Sequence, residues 1–336
     1  MKQKIIYVLT TVLMLSCLFS ACDEQDNELE FPFSVEISYS VDSKQVAFSA
    51  LTHSAVSWNW DFGDGNSSTD QNPVHIYDEG GYYVSKLTAT DKDGNTITKE
   101  VKLAIELTPY ALLTGDHTME GYNGKTWKLT ASHSVNDILA NSDATFSLLD
   151  EDIEFLPTGA FDMYLGLPEA YNDEFTFYYN GDYRQNTTDG TSFGGIAFAM
   201  IYQQLGLTSI TKTGGEAVFG ADVFALTTFT PDENATFVLT ENEDFVIPTI
   251  PDFATSVLSS GIPVVTYPGV MTLDFSSTSA FVGIRDFHRK VIVQQITDSS
   301  MRLAMFLTLS PAAIMSQDPL IALSTTAVIL TFSVVN

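Results

Sequence analysis

The sequence predicts an all-β chain built as two sandwiches in series, the second larger and jelly-roll-like. Three observations carry that prediction. Apolar residues alternate with polar ones over short runs, which is the period of a half-buried strand. Turn-forming pairs such as Asp64-Gly65, Asp93-Gly94 and Asn180-Gly181 separate those runs. Both cysteines, Cys17 and Cys22, stand near the N-terminus. The folded part therefore has neither disulfides nor thiolate metal sites to replace a hydrophobic core. With 45% apolar residues it can build that core.

The formal net charge of the 336 residues is −27. Lys2 and Lys4 are the only charges before Cys22, so removing residues 1–21 would leave −29. A surface of that sign repels phosphate backbones, and no basic stripe interrupts it, so nucleic acid is excluded as a partner. Acidity also keeps a chain soluble and discourages non-specific contact with anionic polymers.

Residues 1–21 read as a signal peptide. Lys2 and Lys4 precede an apolar run over residues 5–19, and small Ser20-Ala21 close it. The run is short for a span, which needs about 20 apolar residues. Leu18-Phe19-Ser20-Ala21-Cys22 resembles the lipobox of bacterial lipoproteins, with Phe19 where Leu is usual; Cys17 is the second candidate. The resemblance implies acylation at Cys22 and anchoring in membrane lipid. Residues 22–30 lack any hydrophobic period and form an acidic tether. Acidic residues directly after the cysteine resemble the export signal of Bacteroidota lipoproteins. That implies an outer-membrane protein facing the exterior.

Residues 31–107 form the first domain. Val35, Ile37 and Tyr39 share one strand face, and Val46 and Phe48 another. Trp58 and Trp60 alternate onto one face, which suits a core-facing strand. Gly80-Gly81 breaks the chain before Tyr82 and Val84 begin the next strand. Three motifs follow in order: Trp60-Asp61-Phe62-Gly63-Asp64-Gly65, then Asn72-Pro73 with His75 and Tyr77, then Gly81-Tyr82-Tyr83-Val84. Together they resemble the PKD domain, which implies an immunoglobulin-like sandwich of about seven strands. Asp61, Asp64 and Asp70 could supply oxygens to calcium, but such aspartates more often cap turns. Asp91-Lys92-Asp93-Gly94-Asn95 reads as a hairpin turn without the bidentate Glu of a calcium loop. No metal and no cofactor is expected.

Residues 108–336 form the second domain. Lys125-Thr126-Trp127-Lys128-Leu129 resembles the entry segment of a domain found behind PKD domains in Bacteroidota lipoproteins, which assigns no chemistry. Residues 174–184 are a hairpin across Asn180-Gly181. Residues 225–230 and 235–240 read as two strands joined across Pro231-Asp232. Residues 271–275, 280–284, 290–296, 301–309 and 326–335 read as further strands, and residues 196–207 and 253–260 as helical insertions.

The candidate chemistry is sparse. His117, His133 and His288 stand alone, and no Gly-x-Ser-x-Gly elbow is present. Asp150, Asp152 and Glu154 would alternate onto one face of a strand, similar to the acidic strand of laminarinase-like jelly rolls. Two facing carboxylates are what glycoside hydrolysis requires. In so acidic a chain the triplet reads better as a solvated face. Tyr164, Tyr171, Tyr178, Tyr179 and Tyr183 make an aromatic-rich region, from which alternation singles out Tyr178 and Tyr183 as exposed ligand-binding rings. PKD domains of extracellular bacterial proteins often sit beside glycan-handling domains. The expected function is therefore non-catalytic binding of an extracellular polysaccharide, with a glycoside hydrolase and an adhesive protein as alternatives.

Overall fold

Alternation in the first domain becomes two sheets. The computed structural model describes residues 32–151, 154–250, 263–310, 314–315 and 321–335. The first seven strands are β1 (Ser34–Asp42), β2 (Gln45–His53), β3 (Ala55–Asp61), β4 (Ser67–Ser68), β5 (Val74–Ile76), β6 (Gly81–Asp91) and β7 (Thr96–Ile105). One sheet has the order β1-β2-β5 and the other β4-β3-β6-β7. Val35, Val46, Phe48, Trp60, Tyr77 and Leu87 are buried between them. Trp58 is only half-buried, its Nε1 donating to Thr52 Oγ1 (3.3 Å).

The motif aspartates cap turns, as their side-chain reach allows. Asp61 Oδ1 accepts from Gly63 N (2.9 Å), Asp64 Oδ1 from Asn66 N (3.0 Å), and Asp91 Oδ1 from Asp93 N and Asn95 N (2.9 and 2.8 Å). His75 stacks on Phe62 (4.1 Å) and meets Asp64 through Nε2 (2.7 Å). Tyr77 donates its hydroxyl to Phe62 O (3.0 Å) beside Ser85 Oγ (2.9 Å). Tyr77→Phe leaves that buried carbonyl one donor short, so urea unfolding should show a loss of about 1 kcal/mol. An unchanged midpoint would mean that Ser85 alone satisfies Phe62.

The described residues divide into two compact units. One holds the chain up to Asp78 and Tyr83–Leu103; the other holds Glu79–Tyr82 and Ala104–Asn336. In the second unit α1 (Pro109–Thr114) is capped by Thr108, whose hydroxyl accepts from Ala111 N (3.2 Å). Then come β8 (Lys125–Leu129), β9 (Ile138–Ala140), α2 (Ala160–Leu165), β10 (Glu174–Phe177), β11 (Tyr183–Asn186) and β12 (Thr191–Gly195). Next are α3 (Ile196–Gln204), β13 (Ile210–Gly214), α4 (Glu216–Phe219), β14 (Phe224–Thr228), β15 (Phe237–Pro248) and β16 (Val264–Phe275). The last are β17 (Val291–Ile296), β18 (Ser300–Leu307), β19 (Ile314–Met315), β20 (Ile321–Ala322) and β21 (Thr326–Val334).

Among the described residues, nine strands form one antiparallel sheet in the order β11-β10-β8-β21-β18-β17-β16-β15, with β9 also on β21. A second sheet has the order β12-β14-β13, and β19 pairs with β20. Trp127, Phe175, Phe177, Phe281, Leu303 and Phe332 belong to the main core. The fold is thus all-β, with a sandwich followed by a larger, curled β-sandwich. The hairpin of β10 and β11 forms across a three-residue loop, residues 179–181, in which Gly181 takes the left-handed position at φ 91° and donates to Tyr178 O (3.0 Å).

The remaining expected elements of this unit are met in part. The strands expected over residues 225–230 and 235–240 form as β14 and β15, in different sheets: β14 joins the β12-β14-β13 sheet while β15 joins the nine-stranded one. Residues 280–284 are not a strand. They are a buried crossing segment, apolar because Ala280, Phe281, Val282 and Ile284 fill the core. The expected helix over residues 253–260 lies outside the described residues.

Candidate functional site

The residues singled out from the sequence do not converge. Cys22 and Asp152 lie outside the described residues. Asp150 and Glu154 are exposed and lie on no strand, which corrects their expected place on an acidic strand. Tyr183 is corrected from an exposed ring to a core residue: it is 1% exposed, and its hydroxyl donates to Phe281 O. Its register explains this. Tyr183 pairs with Phe177 across the hairpin, and directly paired residues share a face, so Tyr183 follows Phe177 inward.

Tyr178 is half-buried, with the Arg184 guanidinium 5.7 Å from its ring. Tyr179 is more open, at 46%. Its other face stacks on His117 (3.6 Å), and its backbone ties to the hydroxyls of Tyr122 and Tyr110 (2.8 and 2.9 Å). These tyrosines are knitted to one another and do not present a flat aromatic row.

A buried polar chain lies elsewhere in this unit. Asp137 accepts from Ser134 Oγ (2.7 Å), Thr331 Oγ1 (2.6 Å) and Thr331 N (3.0 Å), and meets His133 Nδ1 (2.9 Å). Because a carboxylate only accepts, His133 donates from Nδ1, and its Nε2 meets the Tyr171 hydroxyl (2.8 Å). Tyr171 in turn accepts from Phe161 N (3.0 Å). An aspartate, a histidine and a hydroxyl in sequence suggest nucleophilic chemistry. However, the His133 and Asp137 side chains are both 0% exposed, so no substrate reaches them. Their work is to fasten the 133–137 loop to β21 and α2.

Concavity occurs at the three-stranded sheet. A cleft of about 530 Å³ is lined by Tyr202 from α3, by Thr228, Phe229 and Thr230 at the end of β14, and by Thr278, Ser279 and Arg285 from the crossing segment. That volume is in the range of small-ligand sites. Local backbone bonds build it. Arg285 N donates to Phe193 O (2.8 Å), Gly195 N donates to Arg285 O (3.1 Å), and Phe229 N donates to Gly190 O (3.0 Å). A Cβ at Gly194 would stand 2.6 Å from Arg285 O, so only glycine permits β12 to approach so closely.

Arg285 dominates the electrostatics of the cleft. It is 8% exposed, and its guanidinium lies 4.6 Å from the ring of Phe229, 5.1 Å from Phe198 and 5.8 Å from Tyr202. Nη1 is shut off from solvent and has no hydrogen-bond partner among the described residues. Burial pulls its pKa down to about 10, still well above neutrality, so the charge remains. Asp286 next to it does not pair with it. Asp286 Oδ1 accepts from Phe287 N and Thr308 N (2.8 and 3.1 Å), and burial pushes its carboxyl up to about 7. Sequence reasoning missed this site. Its signal was an Arg-Asp pair ending an apolar run, in a chain with 15 Lys and Arg against 42 Asp and Glu.

The two units define an all-β protein, an immunoglobulin-like sandwich and a larger β-sandwich with a cleft. Residues 36–105 match the PKD domain family, so the chain carries a PKD domain there. This segment is similar to collagenase ColA of Bacillus cereus, 39% identical over 54 residues, or 16% of this chain and 6% of that one. It is also similar to collagenase ColA of Clostridium perfringens, 44% identical over 48 residues, or 14% and 4%. The match thus spans 6% or less of these relatives' own length.

Among solved structures, the PKD1 domain of the Vibrio cholerae metalloprotease PrtV is 26% identical, covering 23% of this chain and 100% of that one, with a TM-score of 0.22. A structure from a study of carbohydrate-binding modules of the β-sandwich superfamily is 13% identical, covering 91% and 92%, with a TM-score of 0.24. These scores are too low to define a shared fold.

Proposed function

We propose that this chain is a lipid-anchored protein of the outer-membrane exterior that binds an extracellular polysaccharide without cleaving it. In this reading the cleft of the larger sandwich is the binding site and the PKD domain is a spacer or contact module. The cleft carries the proposal. Aromatic rings (Tyr202, Phe229) stand beside hydroxyls (Thr228, Thr230, Thr278, Ser279), and stacking surface with a few orienting polar groups is what a sugar ring requires. The described lining residues include no pair of carboxylates, which hydrolysis by the usual route needs. The lipobox-like Leu18-Phe19-Ser20-Ala21-Cys22 and the acidic tether support anchoring and display.

The test is retardation of the full chain in gels containing polysaccharides, with release of reducing ends followed in parallel. Retardation without release is expected. Tyr202→Ala should weaken retention about tenfold, the loss of one stacking contact worth ~1.4 kcal/mol, while Tyr178→Ala leaves it unchanged. Release of reducing ends would replace binding by hydrolysis, and retention untouched by Tyr202→Ala would place the ligand outside the cleft.

A further inference from the structure

Arg285 is a buried cation with no anion. It belongs to no ion pair among the described residues, in a chain where acids outnumber Lys and Arg by 42 to 15. Taking an ion out of water costs several kcal/mol even after relaxation, and a guanidinium cannot escape by losing its proton at neutral pH. Cation–π contact returns about 0.5–2 kcal/mol, so the three rings offset only part of that cost. Nη1 also keeps an unused donor in a dry place. Folding alone therefore gives no reason for an arginine here, since a methionine would fill the same aromatic surroundings without penalty.

The surroundings indicate what the missing partner is. The guanidinium lies over Tyr202 and Phe229, which line the cleft together with four hydroxyl-bearing side chains. A planar guanidinium takes an oxyanion through two parallel N–H bonds. From this geometry we infer that the cleft selects an acidic glycan, whose ring lies against Tyr202 and whose oxyanion, a uronate carboxylate or a sulfate ester, pairs with Arg285. This rests on the reading of the cleft as a glycan site and narrows it. The acidic surface adds selectivity. A net charge of −27 repels polyanions in general, so an acidic polymer is held only where a specific cation meets it.

The experiment compares the full chain in gels containing polygalacturonate, dextran sulfate and a neutral glucan. Folding of each variant is checked by its melting temperature. Retention by polygalacturonate or dextran sulfate, and weaker retention by the glucan, is expected, and which acidic polymer retains the protein identifies the oxyanion. Arg285→Met should abolish acidic retention with the melting temperature equal or higher. Arg285→Lys keeps the charge but not the planar fork, and should bind about tenfold more weakly. Retention by the glucan alone, or acidic retention unchanged in Arg285→Met, would overturn this inference and leave glycan binding standing. Retention by none of the three would overturn both.

Discussion

Asp137→Ala is expected to destabilise the larger sandwich by about 3–5 kcal/mol, the usual cost of removing one partner from a buried charged network. Asp137 accepts three hydrogen bonds from Ser134 and Thr331 and meets His133 at 2.9 Å. Truncation strands Thr331 N and the His133 ring nitrogen in a place without water. Burial alone would raise the Asp137 carboxyl. The hydrogen bonds from His133, Ser134 and Thr331 outweigh it and hold the group below the ordinary carboxylate range. A depressed acid binds fewer protons in the native state than in the unfolded one. Its contribution is therefore complete above the unfolded value, about 4, and is lost as pH falls through the lower folded value. Urea unfolding at pH 7 and pH 3 checks both statements. A loss below 1 kcal/mol in Asp137→Ala would mean that water replaces the carboxylate.

Asp286 and Asp173 work in the opposite direction. Burial pushes the Asp286 carboxyl up to about 7 and, with Asp189 adding repulsion, that of Asp173 up to about 8. Each has an Oδ2 with no hydrogen-bond partner. An acid whose folded value is raised holds its proton in the native state after the unfolded chain has released it. Stability therefore declines from about pH 4 up to the folded value, and for Asp286 the decline amounts to about 4 kcal/mol. The second unit should be several kcal/mol more resistant to urea at pH 5 than at pH 8. Asp286→Asn should remove a large part of that slope, and the double variant with Asp173→Asn most of it. A slope identical in Asp286→Asn and the parent chain would show that Asp286 is ionised without penalty.

The legible parts of this molecule were those that local chemistry decides. Asn180-Gly181 marks the hairpin, but the loop that forms is residues 179–181, closed by Gly181 N to Tyr178 O (3.0 Å) with only Gly181 of the pair at positive φ. Three motifs in order specify the PKD domain. Residues 196–204 form a helix as their apolar, proline-free run suggests. What depended on non-local pairing was not legible. Tyr183 turns inward because of its register with Phe177, which alternation along a single strand does not reveal. Phe224–Thr228 lies in a different sheet from Phe237–Pro248 although only residues 229–236 separate them. Arg285 escaped notice for a related reason. A lone arginine reads as surface until three aromatic rings, contributed by α3 and by the end of β14, close around it.

The place of β21 in the nine-stranded sheet has a consequence for how the sandwich comes into being. β21 lies between β18 and β8, pairing Leu303 with Leu330 on one side and Leu129 with Phe332 on the other. In the strand order β8 to β11 join the later strands through it, and the hairpin of β10 and β11 also meets the start of β15 where Tyr183 N donates to Ala235 O (2.9 Å) and Phe237 N to Gly181 O (3.0 Å). Until residues 326–334 have been synthesised, β8 lacks the partner that joins it to β18, and the sheet is held across that gap only by the contact of the β10–β11 hairpin with the start of β15. Such long-range closure is slow, because chain entropy is lost before the contacts that reward it can form. If the chain is exported as proposed above, that delay would keep the nine-stranded sheet open while the polypeptide is threaded, because the sheet is not complete before residues 326–334 are made.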